Sequence, residues 1–248
     1  MPTPFMHLNI AYKLLNDHDL PADAHAVISA DIPAYLLGSI VADARVYPGA
    51  DRELTHFYRY DRPMPDHPWR EMLRQNPSLA QPETIAERAF VAGYVAHLGA
   101  DEYWSKHVLG PYFANGKWGN DIHWRFFVLH LLLITLDERD EACIPVEAAN
   151  LLRQPTPHNW LPFMDDRIIE DWRDYLADQL QGESETVDIF AQRVHRQPEE
   201  LRQMVDNPQQ MRDLFWQHIS PALMAELERD MYAFSRQQLT DFVNELNS

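Results

Sequence analysis

Between Glu83 and His107 the apolar positions fall at helical spacing. Phe90, Val91, Tyr94, Val95 and Leu98 recur every three or four residues and no proline interrupts them. One long helix is predicted. Thr84, with Glu87 three residues on, has the form of a capping box and sets its start. The same apolar body carries His97 and, one turn later, Asp101. Two polar groups therefore face inward together, and buried polar groups left unpaired are costly. A divalent metal is one partner able to satisfy both.

Other stretches repeat the helical pattern. Phe5, Leu8, Ala11, Tyr12, Leu14 and Leu15 predict an amphipathic helix over 4–17, with His7 in its first turns. Asp31 can cap another, with Pro33 in its first turn, Leu36, Leu37, Ile40 and Val41 on its buried face and Asp43 at its far end. Tyr47, Pro48 and Gly49 predict a turn, His56 follows between Thr55 and Phe57, and a short helix is expected around Trp69 to Gln75. Residues 119–139 are apolar nearly all round, which predicts a buried central helix beside the Glu83 to His107 helix. After Cys143 the pattern shortens between prolines, and Arg167 to Leu180, Thr186 to His195 and Pro221 to Leu246 read as amphipathic helices. The expected fold class is all-α, a multi-helix bundle. Residues 1–140 form its metal-binding core, and a helical region over 141–248 packs on it as one globular unit.

Composition sharpens this picture. Glycine is scarce, 8 of 248, while 18 prolines gather between the periodic segments and punctuate helices. The single cysteine, Cys143, excludes a disulfide framework and any multi-cysteine zinc site, so histidines and carboxylates must do any metal binding. A net charge of −17, reversed by no lysine or arginine cluster, repels nucleic-acid backbones and anionic lipid surfaces. The opening MPTPFMHLNIAYKLL has no basic region ahead of an uninterrupted apolar core. The longest apolar run, Phe126 to Leu136, contains His130 and is far shorter than the ~20 residues of a membrane span. A cytoplasmic protein without a membrane span is the expectation. There is no glycine-rich phosphate loop, no GxSxG elbow, no HExxH pair and no internal repeat.

HLNIAYKLL, PAYLLGSIVADA, THF and AGYVAHLGADEYW together resemble the bacterial zinc-dependent phospholipase C family, over about residues 5–139. The resemblance implies a helical metal-dependent phosphodiesterase with His7, Asp43, His56, His97 and Asp101 as metal ligands. It implies that Asp101 bridges two zinc ions, with His7 on one and Asp43, His56 and His97 on the other. It also makes Asp43 the catalytic candidate, assisting the attacking water. His107 stands six residues after Asp101, where family members place another histidine ligand. The family's third site also takes a later His-x-x-x-Glu, and here His130 is followed four residues on by Ile134. His123 and Asp121 are the alternatives, but seven helical residues, about 10.5 Å, part His123 from His130, so those two cannot share one ion. Secreted members bind a zinc through a processed terminal tryptophan, whereas this sequence opens Met1, Pro2. One zinc ion and a second beside it are expected, and imidazole with carboxylate also suits manganese or iron.

The implied activity is hydrolysis of a phosphoester by a metal-bound water, on a small phosphoester or lipid headgroup rather than nucleic acid. Arg45 or Arg52 would help attract the phosphate. Trp104 and Tyr103 or Tyr58 would wall the site, with plain helix packing as the alternative for each. A reading from another class is a helical scaffold or binding protein in which the metal holds helices together and catalyses nothing. Nothing in 141–248 carries a recognisable site, and that half could cover the cleft, restrict substrates or mediate oligomerisation.

Overall fold

The computed structural model describes residues 1–46, 51–182 and 184–247, including every side chain in those segments except those of Arg45 and Val46. Among the described residues the chain is all-α, with no strand. The helices are α1 (Pro4–Leu15), α2 (Ala22–Ala30), α3 (Ile32–Val41), α4 (Glu53–His56), α5 (Pro68–Gln75), α6 (Ile85–Tyr103) and α7 (Ile122–Glu141). They continue as α8 (Ala148–Leu152), α9 (Asp166–Gln181), α10 (Thr186–Val194), α11 (Pro198–Val205), α12 (Pro208–Met211) and α13 (Pro221–Leu246). The predicted turn at Tyr47, Pro48 and Gly49 lies outside the described residues.

α6 is the axis of the molecule. Its start is the capping box read from the sequence: Thr84 Oγ1 accepts from the Glu87 N–H (3.1 Å) and the Glu87 carboxylate accepts from the Thr84 N–H (3.0 Å). Residues 89–102 of this helix are all buried, because α3 covers one flank and α13 another. The α3 contact is backbone on backbone. A Cβ on Gly38 would sit 1.9 Å from the Phe90 carbonyl oxygen, and one on Gly93 would sit 2.2 Å from that of Tyr35, so only glycine allows the two helices this close. α13 is tied to the same axis by the Ser235 hydroxyl, which donates to the Ala96 carbonyl (2.7 Å). Gln238 adds a tie to α5 by accepting from Trp69 Nε1 (2.8 Å).

Asp31 caps α3 through the Ala34 N–H (3.0 Å), as its position predicts. One feature differs from the sequence pattern. The Glu83 to His107 helix does not stop at His107 but runs on from Trp104 to Ala114 with π-helical hydrogen bonding. α7 packs on this π-helical continuation, and also on α1, α10 and α11. α2 is an element the pattern did not predict. It packs against α6, burying Ala24 and Ile28. Among the described residues no single helix is long and apolar enough to cross a membrane.

Candidate metal centre

Five side chains from four separate stretches meet against one face of α6. His97 and Asp101 are four residues apart, so the helix itself places them on one side. α1 brings His7 in its first turns, the 3-10 turn Ala42–Val46 that follows α3 brings Asp43, and the last residue of α4 is His56. α4 ends there because Phe57 takes a left-handed conformation (φ 59°). All five are buried, with Asp43 the most accessible at 7 % and His56 and Asp101 at 0 %.

The distances are those of a ligand shell. His7 Nε2 stands 3.4 Å from Asp101 Oδ1, His56 Nε2 3.3 Å from Asp101 Oδ2 and 3.4 Å from Asp43 Oδ1, and His97 Nε2 3.8 Å from Asp101 Oδ2. Ligands on a tetrahedral zinc, about 2.0–2.1 Å from the ion, stand roughly 3.3 Å from one another. The donors fall into two triads, His7 with His97 and Asp101, and Asp43 with His56 and His97, each with ligand atoms within 4.8 Å of one another. His97 is common to both, while Asp101 faces His7 with one oxygen and His56 with the other.

Hydrogen bonding does not account for this convergence. The Nε2 atoms of His7, His56 and His97 and the Oδ1 of Asp101 are buried without a hydrogen-bond partner, an arrangement that is costly unless something else meets them. Their outer sides are anchored: His97 Nδ1 donates to the Ser39 carbonyl (2.8 Å) and His56 Nδ1 lies 2.8 Å from Thr55 Oγ1. The first bond fixes the tautomer of His97 and leaves its Nε2 lone pair facing Asp101. Thr55 is held in turn, its carbonyl accepting from the Tyr94 hydroxyl (2.7 Å). The donor set of imidazoles and carboxylates, with unpartnered lone pairs aimed inward, fits a zinc ion.

The electrostatics point the same way. Burial, with the Arg52 charge behind it, lowers the His56 pKa to about 4, and burial with His7 behind it lowers that of His97 to about 3. Both rings are therefore neutral at pH 7, as ligands must be. Burial by itself would raise the two carboxyls, but it is outweighed. The close approach of His56 (Nε2 at 3.4 Å) and the His97 ring hold Asp43 below the usual carboxylate range, and Arg52 and His7 do so for Asp101. Arg52 spans from Asp101 Oδ2 (2.5 Å) to the Tyr58 hydroxyl (2.6 Å), with its Nε and Nη1 unpartnered. The α-amino group of Met1 is buried in the same neighbourhood. Burial lowers its pKa to about 5 against the opposing pull of Asp101.

Other candidates stand apart from this cluster. His107 is exposed and stacked on Tyr103, with ring centroids 4.4 Å apart. Six residues from Asp101 is about one and two-thirds helical turns, which carries it past the inward face. His123 is exposed at the start of α7. His130 is spent on its own helix, Nδ1 bonding the Phe126 carbonyl (2.6 Å). Trp104 is fully buried, which leaves it no surface to offer a substrate. The Arg45 side chain lies outside the described residues. Sequence reasoning missed the anchors, Ser39 and Thr55. Thr55 had a signal, being adjacent to His56, whereas the Ser39 carbonyl had none.

A family model described as zinc dependent phospholipase C matches residues 3–180. No curated protein and no solved structure matches the chain.

Proposed function

The chain belongs to the zinc-dependent phospholipase C family, and from that premise we propose that it is a phosphodiesterase, hydrolysing a small or lipid-headgroup phosphodiester. His7, Asp43, His56, His97 and Asp101 would hold the zinc. When bound there, zinc would act as a Lewis acid, making water acidic near neutral pH and neutralising charge on phosphoryl oxygens.

The observation that carries the reading is the position of Asp43. It stands 3.4 Å from His56 within the cluster and also lines a large cavity, so a ligand in the cavity meets the centre there. Its depressed pKa keeps it ionised and makes it a weak proton acceptor. Orienting the attacking water and sharing its proton suits such a carboxylate better than removing the proton outright. Arg52, with its Nε and Nη1 unpartnered beside Asp101, supports electrostatic relief of a developing phosphoryl charge. The scaffold reading draws on the near-complete burial of the three histidines.

The test is turnover of bis(p-nitrophenyl) phosphate by zinc-loaded protein, with elemental analysis alongside. Hydrolysis is expected in the parent chain. Asp43→Asn is expected to lose about a hundredfold or more, and His97→Ala and Asp101→Ala to lose the metal itself. Full zinc occupancy with no turnover of this or any phosphocholine diester would favour the scaffold.

A further inference from the structure

His97 limits how many ions the centre can hold. Its Nδ1 donates to the Ser39 carbonyl, so Nε2 keeps a single lone pair, and one lone pair serves one ion. Both donor triads found among the described residues include His97. Filling one therefore leaves the other with two groups, short of the three protein ligands of a catalytic zinc site. Asp101 could make up the number by bridging, as the family resemblance implies, through the oxygen that faces His56. That oxygen, Oδ2, is the one that accepts from Arg52 Nη2 at 2.5 Å.

Arg52 is fixed in that place. It stands at the start of α4 with its side chain only 10 % exposed. The same Nη2 donates to the Tyr58 hydroxyl (2.6 Å), which has Ser105 Oγ 3.0 Å behind it. The guanidinium carbon lies 4.8 Å from the ring centroid of Tyr58 and 5.4 Å from that of Tyr60, within cation–π range of both. A guanidinium keeps its proton in a protein, so this charge is permanent. With neutral imidazoles, Asp43, Asp101 and Arg52 together leave one negative charge among buried groups. One divalent ion turns that into one positive charge, which a monoanionic phosphodiester cancels. A second ion would leave a large positive excess among side chains that water barely reaches, and uncompensated buried charge is costly. We propose, on the zinc-hydrolase reading above, that Arg52 takes the place of a second ion: the centre binds one zinc, and the guanidinium supplies at Asp101 Oδ2 the positive charge that a bridging metal would supply.

The experiment counts ions on the full chain. Zinc is titrated calorimetrically into metal-stripped protein, with elemental analysis after gel filtration, and manganese-loaded protein is read by electron paramagnetic resonance. The parent chain should take up one zinc and give the signal of an isolated manganese ion. Arg52→Met removes the charge and frees Asp101 Oδ2. It should bind a second zinc about a hundredfold or more tighter than the parent does and show the spectrum of a coupled manganese pair. Arg52→Lys, which keeps the charge, should stay at one ion. Two tightly bound zinc ions, or a coupled manganese pair, in the parent would overturn the proposal whether or not any variant folds. A folded Arg52→Met chain that still stops at one ion would overturn it too. Turnover is scored separately: one ion with no phosphodiester hydrolysis would sink the hydrolase reading and keep the assignment of Arg52, whereas two ions with hydrolysis would do the reverse.

Discussion

His97 shows how much of this centre is decided one side chain at a time. One ring nitrogen is spent on the Ser39 carbonyl and the other faces Asp101 unpartnered. His56 repeats the arrangement with the Thr55 hydroxyl. Removing such an outer partner loosens the ring without removing the ligand, so Thr55→Ala should weaken zinc binding about tenfold to a hundredfold. Competition with a chromogenic chelator reads this out, and an unchanged affinity would mean that Thr55 does not orient the ring. The buried rings also set the pH response of the zinc-free protein. In the unfolded chain an imidazole titrates near 6.5, but in the fold His56 is held at about 4 and His97 at about 3. As pH falls below 6.5 the unfolded state takes up protons first. Stability therefore declines through the window between those values, by about 1.4 kcal/mol per pH unit for each ring. Asp43 and Asp101, held below the ordinary carboxylate range, extend the loss to lower pH. Urea melts of zinc-free protein from pH 7.5 downwards would show it, and a flat profile would contradict the neutral buried rings.

At the scale of elements, the α3–α6 contact does the positioning, because α3 leads into Asp43 and α6 carries His97 and Asp101. A methyl on Gly93 would meet the Tyr35 carbonyl at 2.2 Å, and backbone cannot rotate away as a side chain can. Gly93→Ala is therefore expected to cost more than about 3 kcal/mol and to lower zinc content with it. Thr84→Ala removes only a helix cap at the far end of α6, at about 1 kcal/mol, and should leave zinc content alone. Denaturant melts paired with elemental analysis separate the two outcomes. The caps were legible in the sequence because a cap is a contact between near neighbours in the chain. The close crossing was not, since nothing in the spacing of Gly38 and Gly93 says that they face each other.

For the whole molecule, the centre is a tie among α1, the turn after α3, α4 and α6, segments that span residues 7–101. An ion that binds only the folded chain adds about 4 kcal/mol at a thousandfold excess over its dissociation constant. Scanning calorimetry should accordingly show a melting temperature that falls on chelation and returns with zinc. Loss of that shift in His97→Ala would attribute it to this site. The same scale divides what the sequence determined from what it did not. Helix periodicity and capping are local, so the all-α class, α1, α3, α6 and α13, and the His97–Asp101 pair four residues apart could all be read along the chain. Which of the 12 histidines join that pair is a matter of distance between elements. The tertiary structure brings in His7 and His56, turns His107 outward, packs α7 on α1, and encloses the cavity between α7, α9 and α10. Side-chain type and spacing fix what a single element presents. Only the packing of backbones against one another fixes what it meets.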